Sequence, residues 1–75
     1  MSIEQLVRMA NDIGQFFAAE SVHSEAVAGI ASHIKRSWDP RMRRQILTHL
    51  QQGGEGLDAV VREALAALEP PPPAS

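Results

Sequence analysis

The chain is predicted to be all-α: a small four-helix bundle with a disordered proline-rich C-terminal tail. Three observations predict it. Apolar residues recur at three- and four-residue spacing in four successive segments. No segment alternates convincingly with period two, and capping residues, proline and glycine punctuate the chain where the segments meet. With 75 residues there is room for one core, so a single helical domain is expected over residues 1–69 and a tail over 70–75.

The first helix opens at Ser2, whose hydroxyl can cap the chain while Gln5 reaches back in a capping box. At 100° per residue Ile3, Leu6, Met9, Ala10, Ile13, Phe16 and Phe17 share one stripe, with Val7 at its margin. Gly14 sits beside that stripe, either as a neutral mid-helix glycine or as the mark of a close backbone approach. A loop through Glu20, Ser21, Val22 and His23 then leads to Ser24 as the expected cap of the second helix. Val27, Ile30, Ala31, Ile34 and Trp38 repeat at helical spacing along it. It should end near Trp38, because Asp39 precedes Pro40 and residues before proline avoid the α region.

Asp39 as cap and Pro40 at the first helical position start the third helix, which turns Met42, Ile46, Leu47 and Leu50 inward and stops at Gly53-Gly54. Gly56 is expected to start the fourth helix, with Leu57, Val60, Val61, Ala64, Leu65 and Leu68 on one face. Glu69 and the four prolines from Pro70 to Pro73 should end it.

Composition excludes several functions. The chain has no cysteine, which removes a disulfide framework, a thiolate nucleophile and cysteine-based zinc sites. No apolar run approaches the ~18 residues of a membrane span, and Glu4 and Arg8 interrupt the first apolar stretch, so a cytoplasmic location is expected. Nucleophile and phosphate-loop signatures are missing. The Gly53-Gly54-Glu55-Gly56 run is a turn rather than a phosphate cradle, since no Lys-Ser or Lys-Thr follows it. His23, His33 and His49 are spaced so that no two share a helical turn, which leaves a metal site without its usual ligand spacing. A core of this size rarely supplies more than about 3–5 kcal/mol, so a stabilising partner is expected.

The charge is unevenly placed. Residues 33–49 hold five cations against one acid, a net +4, whereas the rest of the chain holds two cations against eight acids, a net −6. Arg41, Arg43 and Arg44 lie in the first turns of the third helix, where the macrodipole prefers anions. By angle, Arg43 falls inside the apolar stripe between Leu50 and Leu47. Trp, Arg and Met are enriched at interface centres, so Trp38, Arg41, Met42, Arg43 and Arg44 form a candidate docking hot spot. The competing reading makes Trp38 a core anchor and pairs the arginines with Glu20, Glu25 or Glu63. A second candidate surface lies on the first helix around Met9, Ile13 and Phe16. A helix-turn-helix nucleic-acid binder is the alternative function, although its would-be recognition helix carries Asp58 and Glu63 against Arg62 alone.

Several segments together carry a family resemblance: Leu6-Val7-Arg8-Met9-Ala10-Asn11, Ile13-Gly14, Phe16-Phe17, Ala26-Val27-Ala28-Gly29-Ile30-Ala31 with His33, Trp38-Asp39-Pro40-Arg41-Met42-Arg43, and Gly53-Gly54-Glu55-Gly56-Leu57. The chain resembles the delta subunit of NAD-dependent, molybdenum-containing formate dehydrogenases along nearly all its length except the proline tail. The run from Trp38 to Arg43 is the most specific element; Asp12 and Ser37 depart from the family pattern. The resemblance implies a small non-catalytic subunit of a cytoplasmic complex, without a cofactor of its own, that assists assembly, maturation or stability. It also implies a catalytic alpha subunit as partner, in a complex that carries molybdenum cofactor, iron–sulfur clusters, FMN and NAD. Neither nucleic acid nor membrane is expected as a partner, and self-association of the isolated chain stays open.

Overall fold

A computed structural model describes residues 1–68. These form four α-helices, α1 (Ile3–Glu20), α2 (His23–Ser37), α3 (Pro40–Gln51) and α4 (Ala59–Ala66), with no strand among the described residues. The all-α bundle is as the periodicity predicts. The predicted proline-rich tail lies outside the described residues.

α1 starts with the predicted capping box. Ser2 Oγ accepts the Gln5 backbone N–H at 3.2 Å, and Gln5 Oε1 accepts the Ser2 N–H at 3.1 Å. Its inward face is narrower than the sequence stripe. Leu6, Ala10 and Gly14 are buried, while Ile3, Met9, Ile13 and Phe17 are half-buried and Phe16 is 62% exposed.

The α1–α2 connection differs from expectation. It is only Ser21 and Val22, and α2 begins at His23 with Ser24 already inside the helix. Val22 occupies the cap position in an extended conformation with no side-chain hydrogen bond, and the Ala26 N–H donates to its carbonyl at 2.8 Å. The tight turn brings Ala26 and Ile30 into the core.

α2 ends as predicted, with Trp38 as its C-cap. Asp39 Oδ1 then accepts the Met42 N–H at 2.9 Å and Pro40 opens α3. α3 stops where glycine permits a left-handed backbone: Gly53 (φ 117°) and Gly54 (φ 62°) donate to the carbonyls of Leu50 and His49.

α4 is shorter at both ends than its sequence pattern. Gly56 does not start it, because it sits at φ 87° in the connecting loop; the cap is Asp58 and the helix runs only to Ala66. Beyond that, Ala67 and Leu68 donate to the carbonyls of Ala64 and Leu65, tightening the last turn into i to i+3 bonds. Glu69, expected to end the helix, lies outside the described residues.

The core unites Leu6, Ala10, Ile30, Ile34, Trp38, Ile46, Leu47, Leu57, Val61, Ala64 and Leu65. Two glycines set its close approaches. A Cβ on Gly14 would stand 2.5 Å from Val61 Cγ2, so α1 and α4 meet where only glycine fits. A Cβ on Gly29 would stand 2.6 Å from the Phe17 ring, so that ring lies against the α2 backbone.

Candidate docking surfaces

The stretch from Trp38 to Arg44 is largely part of the fold. Trp38 is 4% exposed and belongs to the core, which resolves its two readings in favour of the anchor. Met42 is half-buried and packs against the same core.

Arg43, oddly placed within an apolar stripe, turns back on the preceding helix. Its Nη1 donates to the Trp38 carbonyl at 2.6 Å and to the Lys35 carbonyl at 3.2 Å. These carbonyls belong to the C-terminal end of α2, which carries partial negative charge. A guanidinium there satisfies orphan acceptors and explains why a cation stands inside the stripe.

Arg41 is exposed and Arg44 is half-buried. The acid partners proposed for the arginines are not what Arg41 and Arg43 meet. Neither has a carboxylate within ion-pair distance among the described residues, and Glu63 Oε2 lies instead 2.6 Å from His23 Nε2. Arg41 and Arg44 line one side of an open groove of about 480 Å³ with Ile3, Gln45, Thr48, His49 and Gln52.

The α1 surface is apolar and outward-facing. Phe17 is seated on Gly29, and Phe16 stands edge-on to it, with ring centroids 5.4 Å apart and planes at 86°. The Phe17 and His33 rings are 6.3 Å apart. Together with Asp12 and Ile13, these residues line a shallow hollow of about 290 Å³. Met9 and Ile13 continue the same side of α1, both half-buried.

One cluster was not foreseen. The loop from Gly53 to Leu57 offers five successive carbonyls, and each finds a donor. Arg62 Nη1, Nη2 and Nε donate to Gly53, Gly54 and Leu57 at 3.0, 2.8 and 3.1 Å. His49 Nε2 meets the Glu55 carbonyl at 2.8 Å, and Asn11 Nδ2 donates to the Gly56 carbonyl at 2.9 Å. Asn11 Oδ1 also accepts the Asp58 N–H at 2.9 Å, so one amide ties α1 to the entry of α4. The glycine run signalled carbonyls in need of donors. Their donors come from three helices, and local pattern cannot supply those positions.

Among the described residues no group of three or more His, Asp or Glu side chains is placed to hold a metal ion. Nor is any helix among them long and apolar enough to cross a membrane.

No curated protein and no solved structure matches the chain. Residues 5–65, which span all four helices but for the first two residues of α1 and the last of α4, match the model of a family described as the NADH-dependent formate dehydrogenase delta subunit, FdsD. The chain therefore belongs to the FdsD family of formate dehydrogenase delta subunits.

Proposed function

We propose that the chain is a non-catalytic subunit that docks on the catalytic alpha subunit of a cytoplasmic formate dehydrogenase and supports its assembly, maturation or stability. Family membership carries this reading. In it the molybdenum cofactor, iron–sulfur clusters, FMN and NAD belong to other subunits, and this chain brings surface rather than chemistry. Its own polar groups support that division. His23 meets Glu63 and His49 the Glu55 carbonyl, and Arg62 is turned onto loop carbonyls.

The exposed aromatic on α1 is the feature such a role needs. A 75-residue chain with three aromatics leaves Phe16 in water beside Ile13 and Met9, and aromatic and Met side chains are enriched at the centres of interfaces. The nucleic-acid reading loses ground in turn, because the guanidinium of Arg62, the lone cation of α4, is turned onto the Gly53–Leu57 loop.

The test is co-purification of the tagged chain with the other formate dehydrogenase subunits. Wild type should bring down the catalytic subunit together with formate oxidation. Phe16→Asp should leave the isolated chain folded and destabilise it by no more than about 1.5 kcal/mol, since the mostly exposed ring gives up only its edge contact with Phe17. It should nevertheless lower co-purification about tenfold or more, the equivalent of about 1.4 kcal/mol. Retention equal to wild type would remove the α1 face from the interface.

A further inference from the structure

The side of α3 turned away from the core carries Arg41, Arg44, Gln45 and Thr48, and the C-cap Gln52 follows on the same side. Their spacing keeps them on one side of the helix over about 16 Å. With Ile3 and His49 they line the open groove between the start of α1 and α3, and none of these seven residues is acidic.

Arg41 is the informative member. It is exposed and meets no carboxylate among the described residues. It stands in the first turn of α3, at the positive helix end, where a cation is disfavoured by about 0.3–1 kcal/mol. Arg43 has compensation for the same conflict, since it reaches the carbonyl end of α2. Asp39 offers Arg41 little, because its carboxylate is turned to the Met42 N–H.

The geometry points to this groove as the docking site for an acidic segment of a partner protein. A carboxylate of that segment lies against Arg41, its hydrogen-bonding groups face Gln45, Thr48 and Gln52, and an apolar side chain covers Ile3. The inference rests on the reading of the chain as a docking subunit and adds the chemistry of what docks. A nucleic acid fits the groove less well. A duplex spreads phosphate charge beyond Arg41 over the adjoining hollow, which shares Ile3 and His49 with the groove and is bordered by Glu4 and Glu55, whereas a short segment needs to place only one carboxylate, at Arg41.

Arg41→Glu combined with Gln45→Glu tests it in the full-length chain co-expressed with the other formate dehydrogenase subunits. Both positions are exposed, and the gain from an acid at the helix N-terminus is offset by the like-charge pair that positions 41 and 45 then form one turn apart, so the isolated variant should melt within about 0.5 kcal/mol of wild type. Its co-purification should nevertheless fall about tenfold at an ionic strength of about 0.15 M. Arg36→Glu, on the last turn of α2 outside the groove, should retain wild-type association within about twofold.

Normal co-purification of the groove variant overturns the groove and leaves the docking reading standing. Equal loss with Arg36→Glu also overturns it, because charge in general, rather than this site, would be responsible. Failure of the wild-type chain to associate at all removes the docking reading and the groove together. Salt-dependent binding of the wild-type chain to a duplex of about 20 base pairs, lost in the groove variant, would assign the groove to nucleic acid instead.

Discussion

Trp38→Ala should unfold the isolated chain at room temperature. Trp38 closes α2, is almost wholly buried, and joins the core that contains Ile34, Ile46 and Leu47. Truncating a buried tryptophan costs about 3–5 kcal/mol, which is as much as a core of this size supplies. Circular dichroism should therefore show loss of most helix at 25 °C, and urea titration should find no folded baseline. Arg41→Ala, three residues on, should leave the same melt within about 0.5 kcal/mol. A Trp38→Ala chain that melts like wild type but no longer co-purifies with its partner would make the indole a docking group after all.

Gly14→Leu should be the next most damaging substitution. The α1–α4 crossing leaves no space at this position: a Cβ alone meets Val61 Cγ2 at 2.5 Å, with Val60 Cγ1 at 3.6 Å and Ile30 Cδ1 at 3.8 Å. Val61 is fully buried, and its β-branched side chain is stiff at χ1, so it cannot swing aside at little cost. Overpacking of this kind costs about 1–3 kcal/mol and occasionally more, and the upper end is expected here. Leucine's better helix propensity, worth somewhat under 1 kcal/mol against glycine, offsets only part of that. Val61→Ala combined with Gly14→Leu should be less destabilised than the sum of the two single changes. Simple additivity in urea titrations would show that the two positions do not touch.

What proved legible in the sequence was local. Ser2 with Gln5, Asp39 with Pro40, and the Gly53-Gly54 stop each place donor and acceptor within a few residues, so each boundary appears where the pattern puts it. Boundaries set by distant partners moved. The start of α4 depends on Asn11, whose amide meets Gly56 and Asp58 across more than forty residues of chain. The start of α2 follows from how far Ser21 and Val22 can reach while Ala26 is buried.

The candidate site was legible in the same uneven way. Arg43 was visibly out of place, and the macrodipole conflict it raises is real for α3 alone. Its resolution lies in the end of α2, which a single-helix projection omits. Spacing put Phe16 and Phe17 on one stripe, yet only Phe17 has Gly29 opposite it, and the neighbouring ring is left in water. Of the predicted docking residues, Phe16 on α1 and Arg41 on α3 are the ones left exposed.

The decisive measurement is the molybdenum content and formate turnover of the catalytic subunit purified from cells with and without this chain. A docking subunit that supports assembly or maturation predicts several-fold less molybdenum per catalytic subunit, and correspondingly less turnover, when the chain is absent. Wild type should restore both, and Phe16→Asp should not. Catalytic subunit that is equally loaded, equally assembled and equally active without the chain would contradict that role.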